Sequence, residues 1–275
     1  MFIHTQNELV CVFLKFHINN EKGSTARNIM ERLKPHHIIH PKKMANQLIN
    51  MQIHKTSPPL ETPKTQIKNR SPKIFSCIIL AGGFSKRLGQ DKGLIELAGR
   101  PLVLHVIDKV SGIVDEMLVV VSSDYQRERF TRSVGHKADV IVDKGEAWSP
   151  LIGASTGFES ACGEYSLLLP CDTPFISSEI ASLLLNLCFN RGAAIPRWPN
   201  GYIEPLQSAY HTKSALAASR TALDHERLDL RSMIAHLRGV RYVSTLVLRR
   251  VDPKLLTFFN INTQEELRRA ESMLR

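Results

Sequence analysis

An apolar run passes into a glycine-rich, basic loop at Ile78-Ile79-Leu80-Ala81-Gly82-Gly83-Phe84-Ser85-Lys86-Arg87-Leu88-Gly89-Gln90-Asp91-Lys92. The short β-branched run at its start is typical of a buried strand. Adjacent glycines, Gly82 and Gly83, allow a sharp turn that exposes backbone N–H groups, because no Cβ stands in the way. N–H donors beside cations suit a polyphosphate. The pattern predicts a nucleotide-phosphate loop; the alternative is an ordinary strand-to-loop turn with solvated cations.

Two other glycine-rich motifs do not fit this loop. A dinucleotide-binding G-x-G-x-x-G motif is excluded because Gly82 and Gly83 are adjacent. A Walker A motif is excluded because the lysine after Gly89 comes only at Lys92, with no Gly-Lys-Ser/Thr. Glycine spacing alone therefore leaves the phosphate loop and the simple turn both open.

Strand-like and helix-like segments alternate after Pro72. Predicted strands are Ile74–Leu80, Met117–Val121, Asp139–Val142 and Tyr165–Leu169, and predicted helices are Leu102–Val110, Asp124–Thr131, Pro150–Ala161 and Ser177–Asn190. Such alternation with apolar strands indicates a parallel sheet covered on both faces. Ligands of these sheets bind beyond the carboxyl ends of the strands.

The pattern is less regular after Gly192. It predicts strands at Ala193–Pro196 and Glu204–Tyr210, extended chain at Val240–Val247, and helices at Thr212–Asp224, Leu230–Leu237 and Thr263–Leu274. Thr263 is the expected N-cap of the last helix, with Glu266 in the capping-box position.

Two aspartates stand at the ends of predicted strands. Asp172 follows Tyr165–Leu169, and Asp143 follows Asp139–Val142. Mg²⁺ commonly uses one or two carboxylates together with substrate phosphates, so Asp172 is the candidate magnesium ligand. The alternative for each residue is an ordinary turn or helix-capping aspartate.

Several of these strings resemble the molybdenum cofactor guanylyltransferase family. Residues 80–94 are similar to its L-A-G-G-x-S-x-R-M-G-x-D-K signature, with Leu88 in place of methionine. Residues 170–175 resemble its P-C-D-x-P segment, residues 149–153 its G-P-L-x-G segment with Ser149 for glycine, and residues 259–263 the last five positions of its F-x-N-x-N-T segment. The resemblance extends over residues 74–274.

The resemblance implies an α/β fold, a Rossmann-like nucleotidyltransferase three-layer sandwich with a mostly parallel sheet and helices on both faces. It implies transfer of GMP from Mg-GTP to the terminal phosphate of molybdopterin, with release of pyrophosphate. The implied catalytic residues are Arg87, Lys92 and Asp172, and Mg²⁺ is the implied cofactor on Asp172. The implied nucleotide-binding residues are Leu80, Ala81, Gly82, Gly83, Lys92, Asp143 and Asp172, and the acceptor-binding residues Glu204, Asn260 and Asn262.

Three other functions stay open at this stage. A molybdopterin cytidylyltransferase usually has L-A-A-G where this chain has Leu80-Ala81-Gly82-Gly83, which favours guanine. Enzymes that make nucleotide sugars or isoprenoid intermediates use a related loop but fit the later strings less well. A non-catalytic GTP sensor is a different class, and the presence of both Lys92 and Asp172 counts against it.

Charge divides the 275-residue chain into two parts. The formal net charge is +10, and residues 1–71 hold 11 Lys+Arg and 4 Asp+Glu, a net +7, which leaves +3 for residues 72–275. The first part, with several prolines, is predicted to be a basic, disordered N-terminal extension and linker, and the second to be the nucleotidyltransferase domain. A nearly balanced body argues against a nucleic-acid partner.

Cysteines and hydropathy bear on the location of the protein. The five cysteines form no C-x-x-C pair, so we expect them to be reduced in a cytoplasmic protein. No apolar run approaches the roughly 18 residues that span a membrane. The expected partners are GTP and molybdopterin, with an adaptor or a molybdoenzyme as further candidates.

Overall fold

The structure, a computed structural model, describes residues 74–85, 90–145 and 149–274. The predictions for residues 1–71 and for Arg87 lie outside the described residues.

A seven-stranded sheet forms the centre of the described domain. Its strands are β1 (Phe75–Leu80), β6 (Glu116–Val121), β7 (Asp139–Val142), β8 (Tyr165–Pro170), β9 (Ala193–Arg197), β10 (Ser208–His211) and β11 (Val240–Ser244). Two short hairpins lie outside the sheet: β2 (Phe84–Ser85) pairs with β3 (Gln90–Asp91), and β4 (Glu96–Leu97) with β5 (Arg100–Pro101).

The strand order in the large sheet is β11-β9-β10-β8-β1-β6-β7. Strand β1 is parallel to both β6 and β8, β6 is parallel to β7, and β9 is parallel to β11. Only β10 runs the other way, antiparallel to β8 and to β9. The predicted mostly parallel sheet is therefore confirmed, and its parallel strands end at a common edge.

Eight α-helices connect and flank the strands in the described residues. They are α1 (Leu102–Val110), α2 (Asp124–Val134), α3 (Pro150–Ser160), α4 (Ser178–Cys188), α5 (Thr212–Asp224), α6 (Leu230–Ala235), α7 (Thr245–Leu248) and α8 (Gln264–Leu274). Short 3₁₀ turns occupy Lys92–Leu94, Gly135–Lys137 and Leu256–Phe258.

Helices cover both faces of the sheet. Successive side chains of a strand point to opposite faces, so residues of one strand contact helices on both sides. Ile78 of β1 packs with Phe158 of α3 and with buried side chains of α5 and α6. Phe75, three residues from Ile78 and thus on the other face, makes an edge-to-face contact with Phe189 just after α4. The fold is the three-layer α/β sandwich that was expected.

Serine, histidine and threonine side chains define where several helices begin. Ser123 and Ser149 accept hydrogen bonds from the N–H groups of Gln126 and Ile152, as N-caps of α2 and α3. The predicted capping box of α8 is confirmed, since Thr263 Oγ1 accepts from the Glu266 N–H at 3.2 Å and Glu266 accepts from the Thr263 N–H at 2.9 Å.

Two of the predicted extended segments are wrong in part. Only the last part of Glu204–Tyr210 is a strand, because Gln207 has a positive φ of 59° that interrupts regular pairing before β10 begins. In Val240–Val247 the strand stops at Ser244, whose hydroxyl accepts from the Leu246 N–H and starts α7.

A second, smaller core attaches the C-terminal helix to the segment that follows Lys92. Ile95 and Leu97 pack with Ile261 and with Leu267 and Ala270 of α8. The backbone N–H of Ile261 also donates to the carbonyl of Asp172 at 2.9 Å. This packing brings the C-terminal asparagines to the carboxyl edge of β8.

The described residues contain four cysteines, none of which forms a disulfide. Cys77, Cys171 and Cys188 are buried, whereas Cys162 is exposed. None of the helices in the described part of the chain combines the length and the apolar character that crossing a bilayer requires.

Close packing of α3 on β1 yields a stability prediction. A Cβ on Gly157 would lie 2.3 Å from Ile78 Cγ2, whereas a Cβ on Gly153, one turn earlier, would meet Leu80 only at 3.4 Å. We expect Gly157→Ala to lower the free energy of unfolding by about 1–3 kcal/mol through overpacking. Gly153→Ala should be neutral or stabilising by up to about 1 kcal/mol, because alanine favours the helix.

Urea denaturation of both variants measures these differences. Equal stability of the two variants would contradict the close approach of α3 to β1.

Candidate active site

Four parallel strands deliver the predicted site residues to one edge of the sheet. β1 leads into Gly82 and Gly83, β6 into Ser122, β7 into Asp143 and β8 into Asp172. Backbone hydrogen bonds extend the pairing just past the strand ends, from the Asp143 N–H to Val121 O at 2.8 Å and from the Cys171 N–H to Leu80 O at 3.1 Å. The loops that follow these strands therefore begin from fixed positions.

The loops enclose a cavity of about 170 Å³. Its walls include most of the predicted nucleotide-binding residues, namely Leu80, Gly82, Gly83, Lys92, Asp143 and Asp172, together with Ser122, Ser149, Pro150, Gly153 and Leu206. Ser149, which replaces the family's glycine, caps α3 and so fits the start of this helix.

Ala81 does not match its predicted role as a phosphate contact. The side chain is fully buried, and the N–H donates to Val120 O at 2.8 Å within the sheet. An N–H group that is already engaged in the sheet is not available to a phosphate, so the expected contact from Ala81 is not supported. Gly82 and Gly83, which line the cavity, remain the candidates from this loop.

Lys92, Asp172 and Asn262 form the polar centre of the site. Lys92 Nζ donates to Asp172 Oδ2 at 3.2 Å and to Asn262 Oδ1 at 2.5 Å. The three residues are separated by 80 and 170 positions along the chain, so only the folded domain brings them together. Asn262 thus lies beside the predicted catalytic pair.

Asp172 is buried with one carboxylate oxygen still unused. The residue is 6% exposed, and Oδ1 has no hydrogen-bond partner among the described residues. Burial raises the pKa of the Asp172 carboxyl, while the nearby Lys92 ammonium works in the opposite direction. A buried carboxylate oxygen without a partner is costly unless a ligand contacts it.

The donor set at Asp172 suits a hard divalent cation. Such ions take oxygen ligands, and the free Oδ1 supplies one inside the cavity. The described residues contain no group of three or more His, Cys, Asp or Glu side chains that could hold a metal. The site therefore fits an ion held by one carboxylate together with oxygens of a bound phosphate ligand.

Asp143 lies on the opposite wall of the cavity. Burial raises the pKa of its carboxyl, and the adjacent Ser122 side chain and Gly145 backbone partly offset this effect. Ser122 Oγ also donates to Gly82 O at 3.0 Å. Ser122 therefore connects the β1 loop with the residue that follows β7.

The remaining predicted acceptor residues are Glu204 and Asn260. Glu204 accepts a hydrogen bond from the Trp198 indole N–H at 2.7 Å, and burial raises the pKa of its carboxyl. Asn260 is exposed and accepts from Gln207 Nε2 at 3.5 Å. Neither Glu204 nor Asn260 is among the residues that line the cavity.

Sequence reasoning missed a buried group next to Lys92. Asp91 is 3% exposed, and its carboxylate accepts hydrogen bonds from Gln126 and Arg129 of α2. Asp91 was within the quoted loop signature, but nothing in the sequence indicated that two polar residues of α2 would face it.

Comparison with known proteins finds a matching family and relatives of similar sequence. The chain matches the MobA-like NTP transferase domain over residues 77–241. It is 32% identical over 217 residues to the probable molybdenum cofactor guanylyltransferase of Methanosarcina acetivorans, covering 77% of this chain and 95% of that protein. It is 33% identical over 202 residues to the molybdenum cofactor guanylyltransferase of Desulfosudis oleivorans, covering 72% and 95%.

Solved structures share the fold. Molybdopterin-guanine dinucleotide biosynthesis protein A of Archaeoglobus fulgidus has a TM-score of 0.63 and 26% identity, covering 72% of this chain and 98% of that one. The 4-diphosphocytidyl-2C-methyl-D-erythritol synthase of Anaerococcus prevotii has a TM-score of 0.56 at 19% identity, covering 74% and 96%, which shows the fold alone. The domain match spans more than half of the chain, and the chain belongs to the MobA-like NTP transferase family.

Proposed function

We propose that this protein transfers GMP from Mg-GTP to the terminal phosphate of molybdopterin and releases pyrophosphate. The observation that carries the proposal is the buried Asp172 carboxylate, which pairs with Lys92 through one oxygen and has the other oxygen free beside the glycine loop. Its relatives of about 30% identity are named for this guanylyl transfer. The lysine and the carboxylate together also favour an enzyme over a GTP sensor.

The glycine loop and Lys92 would bind the triphosphate. Gly82, Gly83 and Lys92 all line the cavity, so the loop backbone and the Lys92 side chain are placed to contact phosphate oxygens. Lys92 would offset the negative charge that develops on pyrophosphate as it leaves. We retain Arg87 as a further predicted phosphate contact.

Asp172 would hold Mg²⁺ through its free oxygen. When bound, the ion supplies charge neutralisation and polarisation at the phosphate that is attacked. Asp172 must be ionised for this role, and its raised pKa means that the ionised form is gained at a higher pH than for an exposed aspartate.

The chain's other contribution is to orient the two substrates. The acceptor phosphate is already an anion, so the transfer requires no protein base. Asn262, held by Lys92 at 2.5 Å, is the nearest of the predicted acceptor residues to the catalytic pair, and Glu204 and Asn260 stay proposals for more distant acceptor contacts. Asp143 is proposed to contact the nucleoside. A cytoplasmic location and an adaptor or molybdoenzyme partner also stay proposals.

Pyrophosphate release tests the proposed reaction. The full chain is incubated with Mg²⁺, molybdopterin and, in turn, GTP, CTP, ATP and UTP. We expect turnover with GTP and little with the other three. Turnover with CTP alone would overturn the base specificity, and binding of GTP without turnover would favour a sensor.

Removal of either member of the catalytic pair should stop the transfer. We expect Lys92→Ala and Asp172→Asn each to lower kcat about 100-fold or more, because charge stabilisation by the pair is lost. Both variants should remain folded, since neither side chain belongs to the buried apolar clusters of the domain. Steady-state pyrophosphate release and circular dichroism measure the two effects.

Lys213→Ala, at an exposed position on α5, is the matched control and should behave as the wild type. Near-normal turnover of Lys92→Ala or Asp172→Asn would sink the assignment.

Position 82 should tolerate only glycine, because Ser122 lies close to it. A Cβ at this position would lie 2.1 Å from Ser122 Oγ and 3.2 Å from the Ser122 backbone nitrogen. The hydroxyl would have to rotate and lose its hydrogen bond to Gly82 O, which would displace the phosphate loop. We expect Gly82→Ala to lower kcat/KM for GTP about tenfold.

The double variant Gly82→Ala/Ser122→Ala should recover part of this loss, because the colliding hydroxyl is removed. If the double variant were no better than Gly82→Ala in kcat/KM for GTP, the steric explanation would be wrong.

A further inference from the structure

One face of α2 contacts both chain neighbours of Lys92. Gln126, Arg129 and Phe130 are spaced at i, i+3 and i+4, so they share one side of the helix. Gln126 and Phe130 are buried, and Arg129 is partly exposed. The sequence of α2 is polar, yet this side of it faces the phosphate loop.

Asp91, just before Lys92, is fixed through its carboxylate. Oδ1 accepts a hydrogen bond from Gln126 Nε2 at 2.7 Å, and Oδ2 accepts from Arg129 Nη1 at 2.5 Å. Both oxygens of this buried group are therefore satisfied by α2, and the guanidinium compensates its charge. Asp91 cannot shift without breaking these contacts.

Gly93, just after Lys92, is fixed by close packing. A Cβ on this glycine would lie 2.8 Å from Cε1 of the Phe130 ring and 3.3 Å from Cys171 Cβ. The chain therefore passes through a narrow gap between α2 and the end of β8. Lys92 therefore lies between two residues whose positions are fixed.

Gln126 also holds the loop that follows β6. Its Oε1 accepts the Ser122 N–H at 2.8 Å, while its Nε2 donates to Asp91. Ser122 Oγ in turn donates to Gly82 O at 3.0 Å. A single buried amide therefore joins the segment that carries Lys92 to the segment that supports the glycine turn.

We propose that Gln126 is a positioning residue that fixes the distance between Lys92 and the glycine turn before nucleotide binds. A lysine side chain has many rotamers, so the position of its ammonium group is better defined when the backbone that carries it is fixed. Preorganised groups bind phosphate with less loss of freedom on binding. The inference rests on the proposed function in that Lys92 is taken to bind the triphosphate.

The purely structural alternative is that Gln126 only stabilises the packing of α2. It predicts a lower melting temperature for a Gln126 variant and a loss of GTP affinity that does not depend on Lys92. The positioning role predicts a loss of affinity that requires Lys92 to be present. A double-mutant cycle separates the two.

The experiment uses the full chain and measures GTP affinity by calorimetry with Mg²⁺. Gln126→Met keeps the length of the side chain but removes both hydrogen bonds. We expect it to raise the Kd for GTP about tenfold, as a displaced binding group would, with KM for molybdopterin unchanged. Arg127→Met, an exposed neighbour on α2 whose only ion pair is with Asp124 among the described residues, should leave the Kd unchanged.

The decisive comparison is made in a Lys92→Ala background. There Gln126→Met should change the Kd for GTP less than twofold, because the group that it positions is already gone. A further tenfold loss in that background would overturn the proposal, and so would an unchanged Kd for Gln126→Met with Lys92 intact.

A second variant disturbs the same contact in a different way. Gln126→Glu keeps the shape and the acceptor for the Ser122 N–H but places a second carboxylate against Asp91. It should weaken GTP binding in the same Lys92-dependent way. A loss of affinity that is independent of Lys92 would again contradict the positioning role.

Binding as the readout keeps this inference separate from the proposed reaction. A wild type that binds GTP and releases no pyrophosphate would refute the proposed transfer, while the cycle would still decide on Gln126. A wild type that binds no nucleoside triphosphate would overturn both.

Discussion

The half-satisfied carboxylate of Asp172 is the constraint around which the site is built. One oxygen pairs with Lys92, and the other is buried without a partner in the described residues. An ionised carboxylate in such a place is unfavourable unless opposite charge or a ligand is close. The fold meets the first condition with a lysine 80 residues away and leaves the second to whatever binds in the cavity.

This arrangement sets stability against function. Because burial raises the pKa of Asp172 in the folded state, the neutral carboxyl favours the fold, and that contribution is lost as the pH rises through the folded pKa. At neutral pH the ionised group therefore weakens the domain somewhat, although Lys92 limits the effect. A cation that binds only the folded state returns stability by mass action. The folded domain is therefore least stable when the site is empty, a cost in stability that is common at binding sites.

The elements whose apolar residues are regularly spaced were predictable from the sequence. Strand and helix periodicity located β1, β6, β7 and β8, and the position of Asp172 at a strand end, together with the family resemblance of its segment, made it the candidate metal ligand. Gln126 could not be found this way, because a polar residue in a polar helix looks solvent-exposed until the packing against Asp91 is known. Likewise, Gln207 at φ 59° and Ser244 as a helix cap ended predicted extended segments through local conformations that apolar patterns do not encode. That the Ala81 N–H is engaged could not be predicted from the sequence either, because its partner, Val120, comes from another strand.

The reversed strand β10 explains how the C-terminal half reaches the same edge. A strand parallel to β8 would end beside the carboxyl end of β8. Because β10 is antiparallel, it begins there instead, and the residues just before β10 lie at this end of the sheet. Leu206 thereby lines the cavity, and the Gln207 N–H donates to Leu168 O at 2.8 Å. The Gln207 side chain then reaches Asn260, on the segment that also supplies Asn262 to Lys92. Reversal of one strand thus gives the Lys92–Asp172 pair a second wall, made from chain that lies beyond the parallel strands β1, β6, β7 and β8.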